Sequence, residues 1–364
     1  MDARDDIETQ LIEHGSESDV DDELTEAKRY PSFGQRMRME RQLFGRQFCP
    51  LFLSLVMLVY GALIVFRNLA FYRYRVGPRL RDVGFEVFHE FSKENMKYSD
   101  IPIKVMYIVD GFVLLGTFLG EGGAKRIKDA ITCLCGKENE QDLRAYKPFT
   151  RPPRPHFVNV VRRMLCVYAI GHFLRACTYL ATTLPGSSDH CIHSTGLHPP
   201  KTLLECFYKT QSINGNCGDL IFSGHMLFMW LSTCCVLKYG ARAWGLKQLG
   251  PVHSGLLALC MILIAVQIAF ILKSRHHYTV DIVVATYTVP LLWNFYNNTI
   301  QPEDLKVDYQ ALEDHESVPR SRRRVLIENC IVAFALFILV LLVLIVVHGN
   351  FNFLHPKPHT APIN

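Results

Sequence analysis

Two short stretches decide the reading of this chain: Cys217-Gly-Asp-Leu-Ile-Phe-Ser-Gly-His225 and His276-His-Tyr-Thr-Val-Asp281. Each opens an apolar run long enough to cross a bilayer, 220–237 and 278–295, and a third run free of charge, 254–272, lies between them. A chain that crosses, returns and crosses again brings the starts of its first and third helices to the same membrane face, whichever way it is oriented. His225, His277 and Asp281 are therefore expected at similar depth on one side. His277 and Asp281 are four residues apart, which places them on one helical face, where the carboxylate can orient and charge-stabilise the imidazole.

The rest of the chain fits this frame. Of its 364 residues 49% are hydrophobic, and apolar runs recur at 48–66, 101–119, 164–184 and 331–347. The expected fold is an all-α polytopic membrane protein with a six-helix core and a candidate seventh C-terminal span. The expected organisation is an acidic then basic cytosolic tail (1–47, largely disordered) and a six-helix domain (48–298). A polar linker (299–330), the candidate seventh span (331–347) and a short tail (348–364) complete it. The weakest span is 101–119, because Lys104 and Asp110 would each cost about 2.5–3.5 kcal/mol if unpaired at mid-bilayer. Both are expected to face protein or to lie near an end. The third run carries His172 and Arg175, and a buried arginine calls for an anionic partner.

Charge is distributed unevenly. Residues 1–27 hold eleven acids against one arginine, a net −10, which leaves about +15 on the remainder of a chain whose formal charge is +5. Ten Lys/Arg lie between Lys125 and Arg163, whereas the 185–217 loop has only Lys201 and Lys209. Arginines also precede the first and seventh runs. This bias puts the N-terminus in the cytosol and the His225/His277/Asp281 cluster on the lumenal or exterior face. The first loop, with seven Lys/Arg from Arg67 to Lys97, opposes that reading unless it folds into the site. The twelve cysteines are too scattered for a disulfide framework, but Cys191, Cys206 and Cys217 share one loop and offer a disulfide among them if that loop is lumenal.

Two histidines and a carboxylate at a membrane interface suit phosphoryl transfer. An imidazole held in one tautomer by a carboxylate can attack phosphorus, and a second imidazole can protonate the departing oxygen. Ser223 and Gly224 offer a hydroxyl and close backbone approach to phosphate oxygens. Arg275 offers fixed charge, and the helix start near Tyr278 a positive dipole end. His276 is expected to face away. Two histidines and one aspartate without a further acid make a poor cage for a divalent ion, so neither a metal nor another cofactor is expected.

The two motifs resemble those of the sphingomyelin synthase family, which includes inositol phosphorylceramide synthases. Arg162-Arg163, Arg175, Thr178 and Thr182-Thr-Leu-Pro185 resemble another shared stretch. Tyr287, Phe295 and Tyr296 also fit, while Asn297 stands where animal members usually carry a histidine. A weaker likeness lies at 78–85. The resemblance implies a six-helix core related in site chemistry to lipid phosphate phosphatases. It implies His277 as nucleophile, Asp281 as its partner and His225 as acid/base, with Asp219, Ser223, Arg175 and Arg275 as the substrate-binding set. The implied reaction moves a phospho-headgroup from a glycerophospholipid to ceramide and releases diacylglycerol, in the Golgi or plasma membrane. The donor is phosphatidylcholine, phosphatidylinositol or phosphatidylethanolamine. The implied partners are these membrane lipids, with no nucleic acid; oligomerisation stays open. Two rival readings remain, a lipid phosphate phosphatase using water as acceptor and a non-catalytic ceramide sensor or transporter.

Overall fold

Apolar runs become the long helices, two of them opened by Ser223 and by Gly250-Pro251. The computed structural model describes residues 33–91, 98–135, 154–192, 199–210 and 217–300, which are helical with no strand among them. Helix α1 (Phe33–Val56) passes through a π-helical stretch, Met57–Phe66, into α2 (Arg67–Arg73). A short helix α3 (Val83–Val87) lies in the first loop. The long helices α4 (Ile101–Cys135) and α5 (Phe157–Ala181) follow. Two single turns come next, α6 (Asp189–Ile192) and α7 (Glu205–Tyr208). Helix α8 (Gly224–Cys235) continues through π-helical Val236–Gly240 into α9 (Ala241–Trp244). Helices α10 (Pro251–Lys273) and α11 (Thr279–Phe295) complete the bundle, the latter prolonged by a π-helical turn, Tyr296–Ile300.

Four helical segments among the described residues are long and apolar enough to cross a membrane: Arg36–Arg73, Ile101–Leu119, Phe157–Ala181 and Pro251–Lys273. Helices α8 and α11, with 12 and 17 residues, reach comparable length only with their π-helical extensions. The fold is thus the expected all-α polytopic one, with shifted boundaries. The first helix starts fifteen residues before 48, α4 runs past 119 to Cys135, and the third span begins at Phe157. The candidate seventh span at 331–347 and the polar linker before it lie outside the described residues, as does most of the N-terminal tail.

Helix α8 sits at the centre, packed against α4, α5, α10 and α11, while α1 lies on α5. Its residues Met226, Leu227 and Met229 are fully buried. Polar groups inside the bundle find partners rather than lipid. Asp110 is buried and accepts from Ser232 Oγ at 2.6 Å, whereas Lys104 sits exposed at the first turn of α4. At the end of the bundle away from the two histidines, Glu40 of α1 caps α5. Its carboxylate takes the Phe157 and Val158 N–H groups at 2.9 and 3.0 Å and lies 3.0 Å from His156 Nδ1. Asn297 accepts there from Arg163 and from Lys238 Nζ at 3.0 Å, which gives the buried Arg163 of α5 a partner.

At the other end the first loop folds down on the start of α11. Asp82 accepts from the Thr279 N–H at 2.8 Å and its hydroxyl at 2.6 Å, while the Gly84 N–H donates to Thr279 Oγ1 at 3.1 Å. Three of the loop's cations are engaged: Arg73 donates to the Leu180 carbonyl, Arg79 pairs with Asp189 at 2.8 Å, and Arg81 with Glu86 at 2.8 Å. A methyl group at Gly84 would lie 2.4 Å from Thr279 Oγ1 and 2.8 Å from Leu272 Cδ2. Gly84→Ala is expected to lower the thermal midpoint in detergent, at a cost of about 1–3 kcal/mol. An unchanged midpoint would mean that this bracket does not form.

Candidate active site

The site is built around a buried carboxylate. Asp281, on the first turn of α11, is fully buried, and both its oxygens are used. One accepts from His277 Nδ1 at 2.9 Å and from the Tyr278 N–H at 3.2 Å, and the other accepts from the Ile221 N–H at 2.8 Å. Its backbone carbonyl takes the Ser223 N–H at 3.1 Å. The loop before α8 is therefore wrapped round the start of α11. That wrapping requires left-handed backbone at Gly218 (φ 99°) and at Ile221 (φ 76°). For a β-branched residue such as Ile221 this costs about 1–2 kcal/mol. With Nδ1–H donating to Asp281, the tautomer is fixed and Nε2 of His277 carries the lone pair.

His225 lies on the first turn of α8, its ring centroid 5.9 Å from that of His277 and the ring planes 74° apart. The chain therefore brings His225, His277 and Asp281 together. The N-termini of α8 and α11 both converge on them, adding two positive dipole ends. Arg175 reaches up from α5 to the loop, donating from Nε to the Phe222 carbonyl at 2.7 Å and from Nη2 to Asp219 Oδ2 at 2.7 Å. Asp219 is the anionic partner that the buried arginine called for. Burial pushes the Asp219 carboxyl up, but Arg175, His277 and Arg67 together outweigh it and hold the group below the usual carboxylate range.

Two expected ligands are placed differently. Ser223 is fully buried and its oxygen caps α8 by accepting the Met226 N–H at 3.4 Å, so the hydroxyl serves the helix rather than an open site. Arg275 has φ 56°, which turns its guanidinium into the first loop. There it meets the Phe85 and Phe88 carbonyls at 3.3 and 3.0 Å and Glu90 at 3.5 Å, and stacks on the Phe85 ring at 4.2 Å. Its own carbonyl accepts from Ser187 and Ser188 Oγ at 2.7 and 2.8 Å. Arg275 thus ties the first and third loops together beside the site.

Two residues join the site that the motifs did not supply. Asp100, just ahead of α4, places Oδ1 3.6 Å from His225 Nε2. His225 holds the Asp100 carboxyl below its usual range, with burial acting the other way. The alternation of spans would have found it, since the start of α4 must lie on the same face as the start of α8. His276, expected to face away, instead stacks nearly parallel to His225 at 6.2 Å. Residues 275–278 precede the helix, so helical periodicity does not govern them. Of the three candidate cysteines, Cys191 and Cys217 form a disulfide, which pins the start of the 217–223 loop to α6, while Cys206 is buried and free.

Residues 216–298 match the family model "PAP2 superfamily C-terminal". Over 235 residues the chain is 30% identical to a phosphatidylinositol:ceramide inositolphosphotransferase of rice, Oryza sativa, covering 63% of this chain but only 59% of that protein's length. Phosphatidylinositol:ceramide inositolphosphotransferase 3 of Arabidopsis thaliana is 30% identical over 238 residues, 64% of this chain and 68% of the relative. Human phosphatidylcholine:ceramide cholinephosphotransferase 1 is 30% identical over 156 residues, 40% and 36% of the two chains. With the motifs, the fold and these relatives in agreement, the chain belongs to the family of sphingomyelin and inositol phosphorylceramide synthases.

Proposed function

We propose that the protein transfers a phospho-headgroup from a glycerophospholipid to the primary hydroxyl of ceramide, on the lumenal or exoplasmic face. The observation that carries this reading is the pair of histidines facing one another across 5.9 Å, each with its own carboxylate. His277 Nε2 attacks phosphorus, forming an N–P bond, while the P–O bond to diacylglycerol breaks and protonated His225 gives its proton to the departing oxygen. Ceramide then enters. His225 removes the proton of its primary hydroxyl, the new O–P bond forms and the N–P bond breaks, which restores both imidazoles. Arg175 and the two helix N-termini balance the phosphate charge. Asp281 fixes the tautomer of His277, and Asp100 lies beside His225 at 3.6 Å.

For the donor we propose phosphatidylinositol. Asp100 and His276 flank His225 with groups able to hydrogen-bond a polyol. The rice and Arabidopsis relatives, named for inositol transfer, point the same way.

Membranes from a host lacking this activity, given labelled ceramide and one donor at a time, test the reading. Phosphatidylinositol should yield a ceramide phospholipid, and His277→Ala should abolish it. Hydrolysis of a lipid phosphate with no ceramide product would establish the phosphatase instead. Asp281→Asn should retain binding of the donor but lower turnover about 10²–10⁴-fold, because the imidazole loses its tautomer.

The Asp100 carboxylate lies 3.6 Å from His225 Nε2 and orients that ring. Asp100→Asn should therefore lower turnover about tenfold with the donor KM unchanged. An unchanged turnover would contradict this role.

A further inference from the structure

Helix α5 carries polar groups that neither the bundle nor the phosphate chemistry uses. His172 is only 9% exposed, yet it makes no hydrogen bond among the described residues. Its one ring contact is edge-on with Tyr168, at 4.6 Å and 86°. Tyr168 in turn meets Phe228 of α8 at 6.3 Å, and Phe228 meets Tyr107 of α4 at 4.4 Å. Gly171 allows this approach, since a Cβ there would lie 2.6 Å from Leu227 Cδ1. The four rings thus line the junction of α4, α5 and α8 just beneath His225, with Phe228 one turn into the membrane from it.

His172 also interacts electrostatically with Arg175 and Asp219, the pair that holds the loop under the two catalytic histidines. It lies three residues deeper on α5 than Arg175, ~4.5 Å along the helix axis. The ring nitrogens of His172 have no hydrogen-bond partner among the described residues and are not sealed off, so they are open to a hydrogen-bonding ligand at this depth. A lipid whose reacting oxygen sits at the histidines places its next polar atoms about one turn lower. In ceramide these are the amide and the secondary hydroxyl. In the glycerolipid donor they are esters, which only accept.

We propose that His172 recognises the amide and 3-hydroxyl head of ceramide, and so selects the sphingoid acceptor at the junction of α4, α5 and α8, with Tyr168 fixing its ring. This rests on the transferase reading above and adds to it the residue that sets acceptor specificity.

The test compares wild type, His172→Phe and His172→Gln in donor-saturated membranes, using ceramide, 3-deoxyceramide and N-methylceramide. His172→Phe should raise the KM for ceramide about tenfold, with the donor KM unchanged, and His172→Gln should recover most of that loss. At least one analogue that is penalised in wild type should suffer little further penalty in His172→Phe. The Phe variant should also melt no lower than wild type, because phenylalanine keeps the ring contact with Tyr168 and the imidazole makes no hydrogen bond among the described residues. Three results would overturn the proposal: a rise in the donor KM, full penalties from both analogues in the variant, or a lowered melting temperature in His172→Phe. If wild type itself gives no ceramide product, the transferase reading fails and this proposal with it. Failure of the proposal alone leaves wild-type transfer intact.

Discussion

The carboxylate of Asp281 is the interaction on which the rest of this structure depends. An ionised group with no exposure is tolerated only when its oxygens are fully bonded, and here three N–H donors from two segments supply those bonds. One donor sets the tautomer of His277, one fixes the turn into α11, and one comes from Ile221 in the loop that leads to α8. A single buried charge thereby registers the two helices that carry the two histidines. The strained backbone at Ile221 is explained by this bond, since only a sharp reversal presents its N–H to the carboxylate.

Around that centre the loops act as a brace. The disulfide between Cys191 and Cys217 anchors the start of the α8 loop, and Arg175 holds its middle through the Phe222 carbonyl and Asp219. The first loop closes the outer side through Asp82 and Thr279, while Arg275 ties it to the Ser187–Ser188 segment. The proposed transfer would require the site's donors to be held rigid while lipids enter from the side. These contacts supply that rigidity without occupying the space between the imidazoles.

Much of this was legible in the sequence, for reasons that particular residues make plain. Alternation of apolar runs places His225, His277 and Asp281 on one face, because crossing parity does not depend on side-chain detail. Helical spacing paired His277 with Asp281, and the pair does form, although His277 precedes α11 and is reached by Asp281 folding back over the capping turn. The reading went astray where no helix exists. His276 follows the left-handed residue Arg275 in a turn ahead of α11, so the expectation that it faces away fails, and Arg275, read as fixed charge for the phosphate, is instead turned into the first loop. Ser223 was read as a ligand although serine directly before a helical run is first of all a capping residue. The third span was placed too late because hydropathy alone cannot know that Arg163 is satisfied by Asn297 from another helix. Asp100 was passed over because it lies outside every motif, and its role depends on a contact made only in three dimensions.

The central claim is that His277 becomes covalently bonded to phosphorus. Its most direct test is intact-protein mass spectrometry of purified enzyme, quenched within one turnover after mixing with phosphatidylinositol and no ceramide. The account predicts a mass increase equal to one phosphoinositol group, located on His277, absent from His277→Ala and discharged when ceramide is added. Transfer to ceramide with no such adduct on any time scale, or an adduct that persists in His277→Ala, would contradict it.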